Sequence, residues 1–204
     1  MNVADYKELD AVPMAYNIIK DVKAKSSNII LSTSFGHHSS VLLKIVTDIA
    51  PETPVIWVDT GYNTEETYQH CERLQELLNL NLRIYHPKRS VTHRTALGVN
   101  PEPEDPGYDE FVNEIKLEPF KRALAELQPS YWITGIREDE TEHRRSLGIQ
   151  SEAPNGIKKI APLFYWEEVD LIDFAVKHKL PLVANYQDIA KQNASRECGL
   201  HCRL

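Results

Sequence analysis

Cysteine is scarce in this chain, with three in 204 residues, at positions 71, 198 and 202. So sparse and odd a count excludes the disulfide framework of a small secreted domain and suits a reducing compartment. Positive charge is also in short supply. Twenty-three Lys and Arg stand against thirty Asp and Glu, a net charge of −7. That balance weighs against wholesale nucleic-acid binding and leaves room for a local basic patch serving a phosphorylated small molecule. No apolar run approaches the roughly 20 residues of a membrane span. The N-terminus, MNVADYKELD, is acidic and has no apolar stretch of the signal-peptide kind. Internal repeats and low-complexity tracts are missing too. What remains is an ordinary globular composition, 42% apolar and 26% charged, expected in the cytoplasm and long enough for one domain with a sizeable core.

Strand and helix signals alternate along the chain. Residues 28–32 (NIILS) and 54–58 (PVIWV) read as buried strands, and 82–85, 131–135 and 157–162 as further short ones. Between and after them, residues 39–49, 64–78, 118–127 and 166–178 carry apolar residues at helical spacing. Thr64 is a plausible N-cap, followed by acids in the first turn. In the last of these helices Val169, Ile172 and Val176 fall on one face. Residues 98–107 hold three prolines and three acids in ten positions and read as an exposed loop. The alternation predicts an α/β fold around a mostly parallel sheet, with helices on both faces. Ligands of such sheets bind beyond the carboxyl ends of the strands.

The segments just after the strands are the informative ones. Residues 32–40 place hydroxyls at Ser32, Ser34, Ser39 and Ser40 around Gly36, with a helix following at once. Small residues, free N–H groups and a helix N-terminus favour an anion. No Gly-Lys-Ser/Thr follows, so this is not the Walker pattern; a Ser-rich turn with an N-cap explains the segment equally well. His37 and His38 add charge or are merely exposed, and no third ligand stands at a metal-site spacing. Asp59-Thr60-Gly61 ends the second strand and is a turn or part of a site. Arg137, Arg144 and Arg145, with His143, form a basic cluster within nine residues, interleaved with Glu138, Asp139, Glu140 and Glu142. Guanidinium forks suit phosphate and sulfate oxygens, and a solvated charged loop is the alternative. At the C-terminus, Cys198 is flanked by Arg196, His201 and Arg203. Nearby positive charge favours the thiolate, the nucleophilic form.

Taken together, these segments resemble the phosphoadenylyl-sulfate reductases, the sulfonucleotide reductases of sulfate assimilation. Glu197-Cys198-Gly199-Leu200-His201 resembles the family's C-terminal signature. Residues 32–40 resemble its Ser-x-Ser-Phe-Gly variant of the PP-loop, and 58–62 its Asp-Thr-Gly-Tyr segment. Residues 116–127 and 135–144 resemble its middle region, and 155–166 its Gly-x-x-Lys-x-x-Pro-hydrophobic-x-x-Trp stretch. The resemblance implies a PP-loop fold, like that of the adenine nucleotide alpha hydrolases. It implies a sulfonucleotide-binding domain over residues 1–194 and a catalytic cysteine tail over 195–204. It assigns Cys198 as the nucleophile, with His201 neutralising charge beside it. It assigns substrate binding to Ser32, Ser34, Phe35, Gly36, Ser39, Asp59, Thr60, Gly61, Arg137 and Arg144. It further implies thioredoxin or glutaredoxin as electron donor, no bound cofactor and no metal; relatives are often dimers, so a homodimer is one option, and the sequence leaves the oligomeric state open. Relatives that use adenylyl sulfate usually hold a [4Fe–4S] cluster on four thiolates. Three cysteines cannot supply four, so no cluster and a preference for the 3′-phosphorylated substrate are expected.

The chain also departs from that pattern. Residues 182–193 are all that separates the Trp-containing helical region from the cysteine tail, a few tens of residues fewer than is typical. Cys202 lies four residues after Cys198, within reach of a resolving or protective disulfide if the tail bends; an idle thiol is the alternative. Two other functions stay open at this point. An ATP-dependent adenylating or sulfur-transfer enzyme of the PP-loop type would carry Ser-Gly-Gly-x-Asp-Ser, whose Asp is missing here. A nucleotide-binding relative without turnover would bind adenosine 3′,5′-bisphosphate and release no sulfite.

Overall fold

The computed structural model describes residues 10–153 and 155–189. Six strands form one sheet: β1 (Ile29–Thr33), β2 (Val55–Val58), β3 (Leu82–Tyr85), β4 (Tyr131–Ile133), β5 (Gln150–Glu152) and β6 (Lys158–Ile160). Their order is β3-β2-β1-β4-β6-β5, parallel throughout except for β5, which runs antiparallel to β6 at one edge. The helices are α1 (Ala11–Lys25), α2 (Ser39–Ile49), α3 (Glu65–Leu78), α4 (Val91–Leu97), α5 (Tyr108–Val112), α6 (Glu118–Leu127), α7 (Glu142–Arg145) and α8 (Glu168–Lys177). A π-helical turn, Asn113–Leu117, joins α5 to α6.

The apolar strands separate two layers of core because successive strand side chains point to opposite faces. Ile29 and Leu31 of β1, Val55 and Trp57 of β2, and Ile133 of β4 join the larger cluster with α1, α2, α3 and α8. Ile30, Ile56 and Trp132 point the other way, onto Phe120, Ala123 and Leu124 of α6. A third cluster, Tyr108, Phe111, Val112 and Ile115, lies along α5 and the π-turn.

Most expected elements agree with the structure to within a residue or two. Thr64 caps α3, its hydroxyl accepting from Thr67 N at 3.2 Å. Two differences are informative. α1 is absent from the sequence pattern given above, yet Met14, Ala15, Ile18, Ile19 and Val22 form a buried stripe along it. In α8, Val169, Ile172 and Val176 do share a face, but it is the outward one, 56%, 39% and 70% exposed, while Leu171, Phe174 and Ala175 face the core. Trp166 fixes this rotation. It is buried just ahead of α8, and its indole N–H donates to the Ala11 carbonyl at 3.2 Å. Among the described residues no helix is long and apolar enough to cross a membrane.

The topology locates the crevice. From β1 the chain steps outward to β2 and β3, then returns to place β4 on the other side of β1. The connections leaving β1 and β4 therefore diverge, and they open a cleft beyond the carboxyl ends of these two strands.

Candidate active site

A cavity of about 410 Å³ occupies that cleft. Its walls come from the loop after β1, the ends of β2 and β4, the π-turn, α7 and the segment after α8.

The β1 loop is held by its own hydroxyls. Phe35 N donates to Thr33 Oγ1 at 3.1 Å, while Ser39 donates to the Gly36 carbonyl through both its N–H (3.1 Å) and its hydroxyl (2.9 Å). Phe35 sits at φ 50°, in the left-handed region, which is uncommon for a bulky residue. Its ring compensates by full burial, edge-on to Trp57 at 5.1 Å. Thus the phenyl anchors the turn in the core, and the flanking Ser34 and Gly36 line the cavity. Trp132 reaches across from β4, its indole N–H donating to Ser32 Oγ at 2.7 Å, which fixes that hydroxyl at the cavity wall.

Arg137 follows β4 and lines the cavity. Its side chain is 14% exposed, and its Nε lies 3.5 Å from Asp139 Oδ1. Its Nη1 is buried with no hydrogen-bond partner among the described residues. An unsatisfied buried donor costs about 1–3 kcal/mol, more when charged, so an acceptor arriving there is rewarded. Arg144 of α7 is nearly buried and donates to Glu140, whose carboxylate also accepts from the Arg137 backbone N–H at 3.1 Å. His38, at the same wall, lies 3.5 Å from Glu168. Burial first, and then the charge of Arg137, push its pKa below the ordinary histidine value despite that carboxylate. It therefore serves at neutral pH as a polar, uncharged group.

Of the residues singled out in the sequence, Ser32, Ser34, Gly36, Ser39, Thr60, Arg137 and Arg144 line this cavity, and Phe35, Asp59 and Gly61 do not. Phe35 belongs to the core, as described. Asp59 organises the loop after β2: its Oδ1 accepts from Gly61 N (2.9 Å), Asn63 Nδ2 (2.9 Å) and the Tyr68 hydroxyl (2.8 Å). Burial and that carboxylate raise the Tyr68 pKa to about 12. Gly61, at φ 81°, makes the turn, and a Cβ there would stand 2.7 Å from Val91 Cγ2. Asp59 and Gly61 thus shape the wall on which Thr60 is displayed.

Sequence reasoning missed Lys116, Asn63, Tyr186 and Asp188, which also line the cavity. Lys116 lies in a segment that carried the resemblance, and the π-turn holding it is a local irregularity common at functional sites. Its ammonium pairs with the Asp188 carboxylate, the two side chains being 9% and 7% exposed. No local pattern announces a pair 72 residues apart. Cys198, His201 and Cys202 lie outside the described residues, as does the proposed boundary at 194/195. Cys71 is a core residue of α3, and burial pushes its thiol up to about 12, so it is no nucleophile. Among the described residues no three His, Cys, Asp or Glu side chains group as metal ligands.

The chemistry of the site is that of an anion receptor, with hydroxyls and a helix N-terminus on one wall and guanidinium groups on the other. Among solved structures, the fold is similar to phosphoadenylyl-sulfate reductase from Candida auris in a phosphate complex, with a TM-score of 0.76, 22% identity and 89% of both chains covered. It is also similar to Candida glabrata FMN adenylyltransferase, at a TM-score of 0.63 and 15% identity over 89% of this chain and 64% of that one. At those identities the likeness speaks for the fold, a PP-loop α/β sheet. Curated relatives are nearer in sequence. A protein of Synechococcus sp. named phosphoadenosine 5′-phosphosulfate reductase is 38% identical over 157 residues, 76% of this chain and 67% of that protein. One of the same name from Synechocystis sp. is 38% identical over 201 residues, 86% of this chain and 80% of that one. The family model for the phosphoadenosine phosphosulfate reductase domain matches residues 28–189. Over residues 28–189, from the start of β1 to the segment after α8, this chain belongs to the phosphoadenosine phosphosulfate reductase family.

Proposed function

We propose that the chain reduces 3′-phosphoadenylyl sulfate to sulfite and adenosine 3′,5′-bisphosphate. The observation that carries this reading is the convergence, in one cavity of a family member, of the Ser32–Ser39 hydroxyls with the unpartnered Nη1 of Arg137. The nucleotide phosphate leaves well only if its growing charge is held, and hydroxyl and guanidinium donors are groups that can hold it. In the proposed reaction the Cys198 thiolate attacks the sulfur of the sulfonucleotide. An S–S bond forms, the S–O bond to the phosphate breaks, and the electron pair leaves on adenosine 3′,5′-bisphosphate. A thiolate of reduced thioredoxin or glutaredoxin then attacks Cys198 Sγ and expels sulfite. The donor's second thiol resolves the mixed disulfide, so the donor is oxidised by two electrons and Cys198 is restored. His201 neutralises charge beside the thiolate. The reading takes the reducing cytosol as the working compartment, supported by the sparse cysteines, and leaves the oligomeric state open, although relatives are often dimers. It requires no bound cofactor.

The test is sulfite release from 3′-phosphoadenylyl sulfate with reduced thioredoxin, compared with adenylyl sulfate, with Cys198→Ser as control. Sulfite from the phosphorylated substrate, lost in the variant, is the expected result. Sulfite that persists in Cys198→Ser refutes the assigned nucleophile. Pyrophosphate release from ATP without sulfite would move the chain to the adenylating class.

A further inference from the structure

The segment 183–189 lines the cavity through Tyr186 and Asp188 and is tied down at both ends and in the middle. The Val183 carbonyl accepts from His37 Nδ1 at 2.8 Å, which places the ring proton on that nitrogen. The Asn185 carbonyl accepts from the Thr64 hydroxyl at 3.2 Å, and Asn185 donates to Glu66 through its N–H (3.1 Å) and its side-chain amide (2.9 Å). The Tyr186 ring meets His37 edge-on at 5.7 Å, and its Cε1 stands 3.2 Å from where a Cβ on Gly36 would be. The Ile189 carbonyl accepts from the Tyr108 hydroxyl. This strap therefore sits directly on the β1 loop, and it carries the Asp188 carboxylate to Lys116.

A buried ammonium needs a counter-charge, and Asp188 supplies one. Both groups, however, line the same cavity as the Ser loop, Arg137 and Arg144. A carboxylate and a phosphate or sulfate oxygen are acceptors of the same kind for an ammonium. We propose that Asp188 is an internal competitor for Lys116, so that an anionic nucleotide takes over this lysine as the carboxylate departs, and the 183–189 strap sets the affinity of the site. The choice of nucleotide rests on the sulfonucleotide reading above; the competition for the lysine does not. Asp188 then lowers affinity while the site is empty, which keeps a buried cation neutralised and eases product release.

The test is calorimetric titration of the full chain with adenosine 3′,5′-bisphosphate and, separately, with inorganic pyrophosphate. Asp188→Asn should tighten binding by about tenfold, the scale of one charge-assisted contact. In a Lys116→Gln background the same change should have no effect. Glu66→Gln, outside the cavity lining, loosens the Asn185 tether and should tighten binding in the same direction; it carries the test if Asp188→Asn does not fold. Unchanged or weaker binding in the folded strap variants overturns the proposal and makes the pair purely structural. Pyrophosphate binding that tightens while the nucleotide fails to bind keeps the competition and overturns the sulfonucleotide reading. Tightening that persists without Lys116 overturns the assigned lysine.

Discussion

His70 gives the sharpest quantitative prediction. It lies on the buried face of α3 at 1% exposure, and neither ring nitrogen has a hydrogen-bond partner among the described residues. Desolvation, and secondarily the charge of Arg73, lower its pKa to about 4. In the unfolded chain an ordinary histidine titrates near 6.5. Between those values the unfolded state binds the proton and the folded state does not, so stability is complete above about pH 6.5 and falls as the pH drops toward 4. This one ring removes about 2 kcal/mol by pH 5 and about 3 kcal/mol by pH 4, at roughly 1.4 kcal/mol for each unit of separation. Other groups contribute a background: Glu114 and Glu118 are held low by Arg89, Arg94 and Arg122 and also lose stabilisation in acid. Comparison with His70→Leu cancels that background. Urea unfolding followed by tryptophan fluorescence at pH 7.5 and 5.0 should show the variant gaining about 2 kcal/mol on the wild type over that interval. A constant difference across the two pH values refutes the argument, because it means that folded His70 takes up a proton as readily as an unfolded one.

Two further substitutions test the site and its wall. Arg137→Met removes the buried unpartnered Nη1. It should weaken adenosine 3′,5′-bisphosphate binding by about 10- to 100-fold, the worth of one charged hydrogen bond, with thermal stability equal to or above wild type by calorimetric melting. Gly61→Ala must adopt φ 81° and place a methyl 2.7 Å from Val91 Cγ2. It should destabilise by about 2 kcal/mol in urea unfolding, and Val91→Ala should restore only the steric part.

The parts of the site that were legible in the sequence are those whose chemistry is local. A hydroxyl-rich turn between an apolar run and a helical period marks the end of β1, and the arginine segment after β4 is marked in the same way. What motif membership does not reveal is which way a side chain points. Phe35 and Asp59 stand within the expected binding segments, yet one fills the core and the other ties its own loop with three hydrogen bonds. In α8 the helix and the shared face of Val169, Ile172 and Val176 were legible, but which face packs inward was not, for a related reason. It carries two apolar stripes, and periodicity cannot choose between them until Trp166 docks on α1. Lys116 and Asp188 fail for another: their meeting is a product of topology, which brings the π-turn and the segment after α8 to one cleft.

The charge arithmetic of the cleft connects these observations. The chain is acidic overall, yet Lys116, Arg137 and Arg144 are gathered at the switch point between β1 and β4. Buried cations of one sign repel each other and are costly to desolvate. Here Asp188 faces the lysine and Glu140 faces Arg144, while Arg137 keeps one nitrogen uncommitted. These carboxylates let the empty site fold, and a multiply charged ligand must outcompete them to use the same cations. Affinity then depends on how firmly each carboxylate is held. Glu140 is anchored close in sequence, within the turn that also fixes the Arg137 backbone. Asp188 stands on the 183–189 strap, which is tied to His37, Thr64, Glu66 and Tyr108, and its carboxylate also accepts from the Tyr186 hydroxyl at 3.5 Å. Asp188 is carried by the strap and Glu140 by the arginine turn, so the hold of Asp188 on Lys116 can be changed through the strap's tethers without touching the arginine turn.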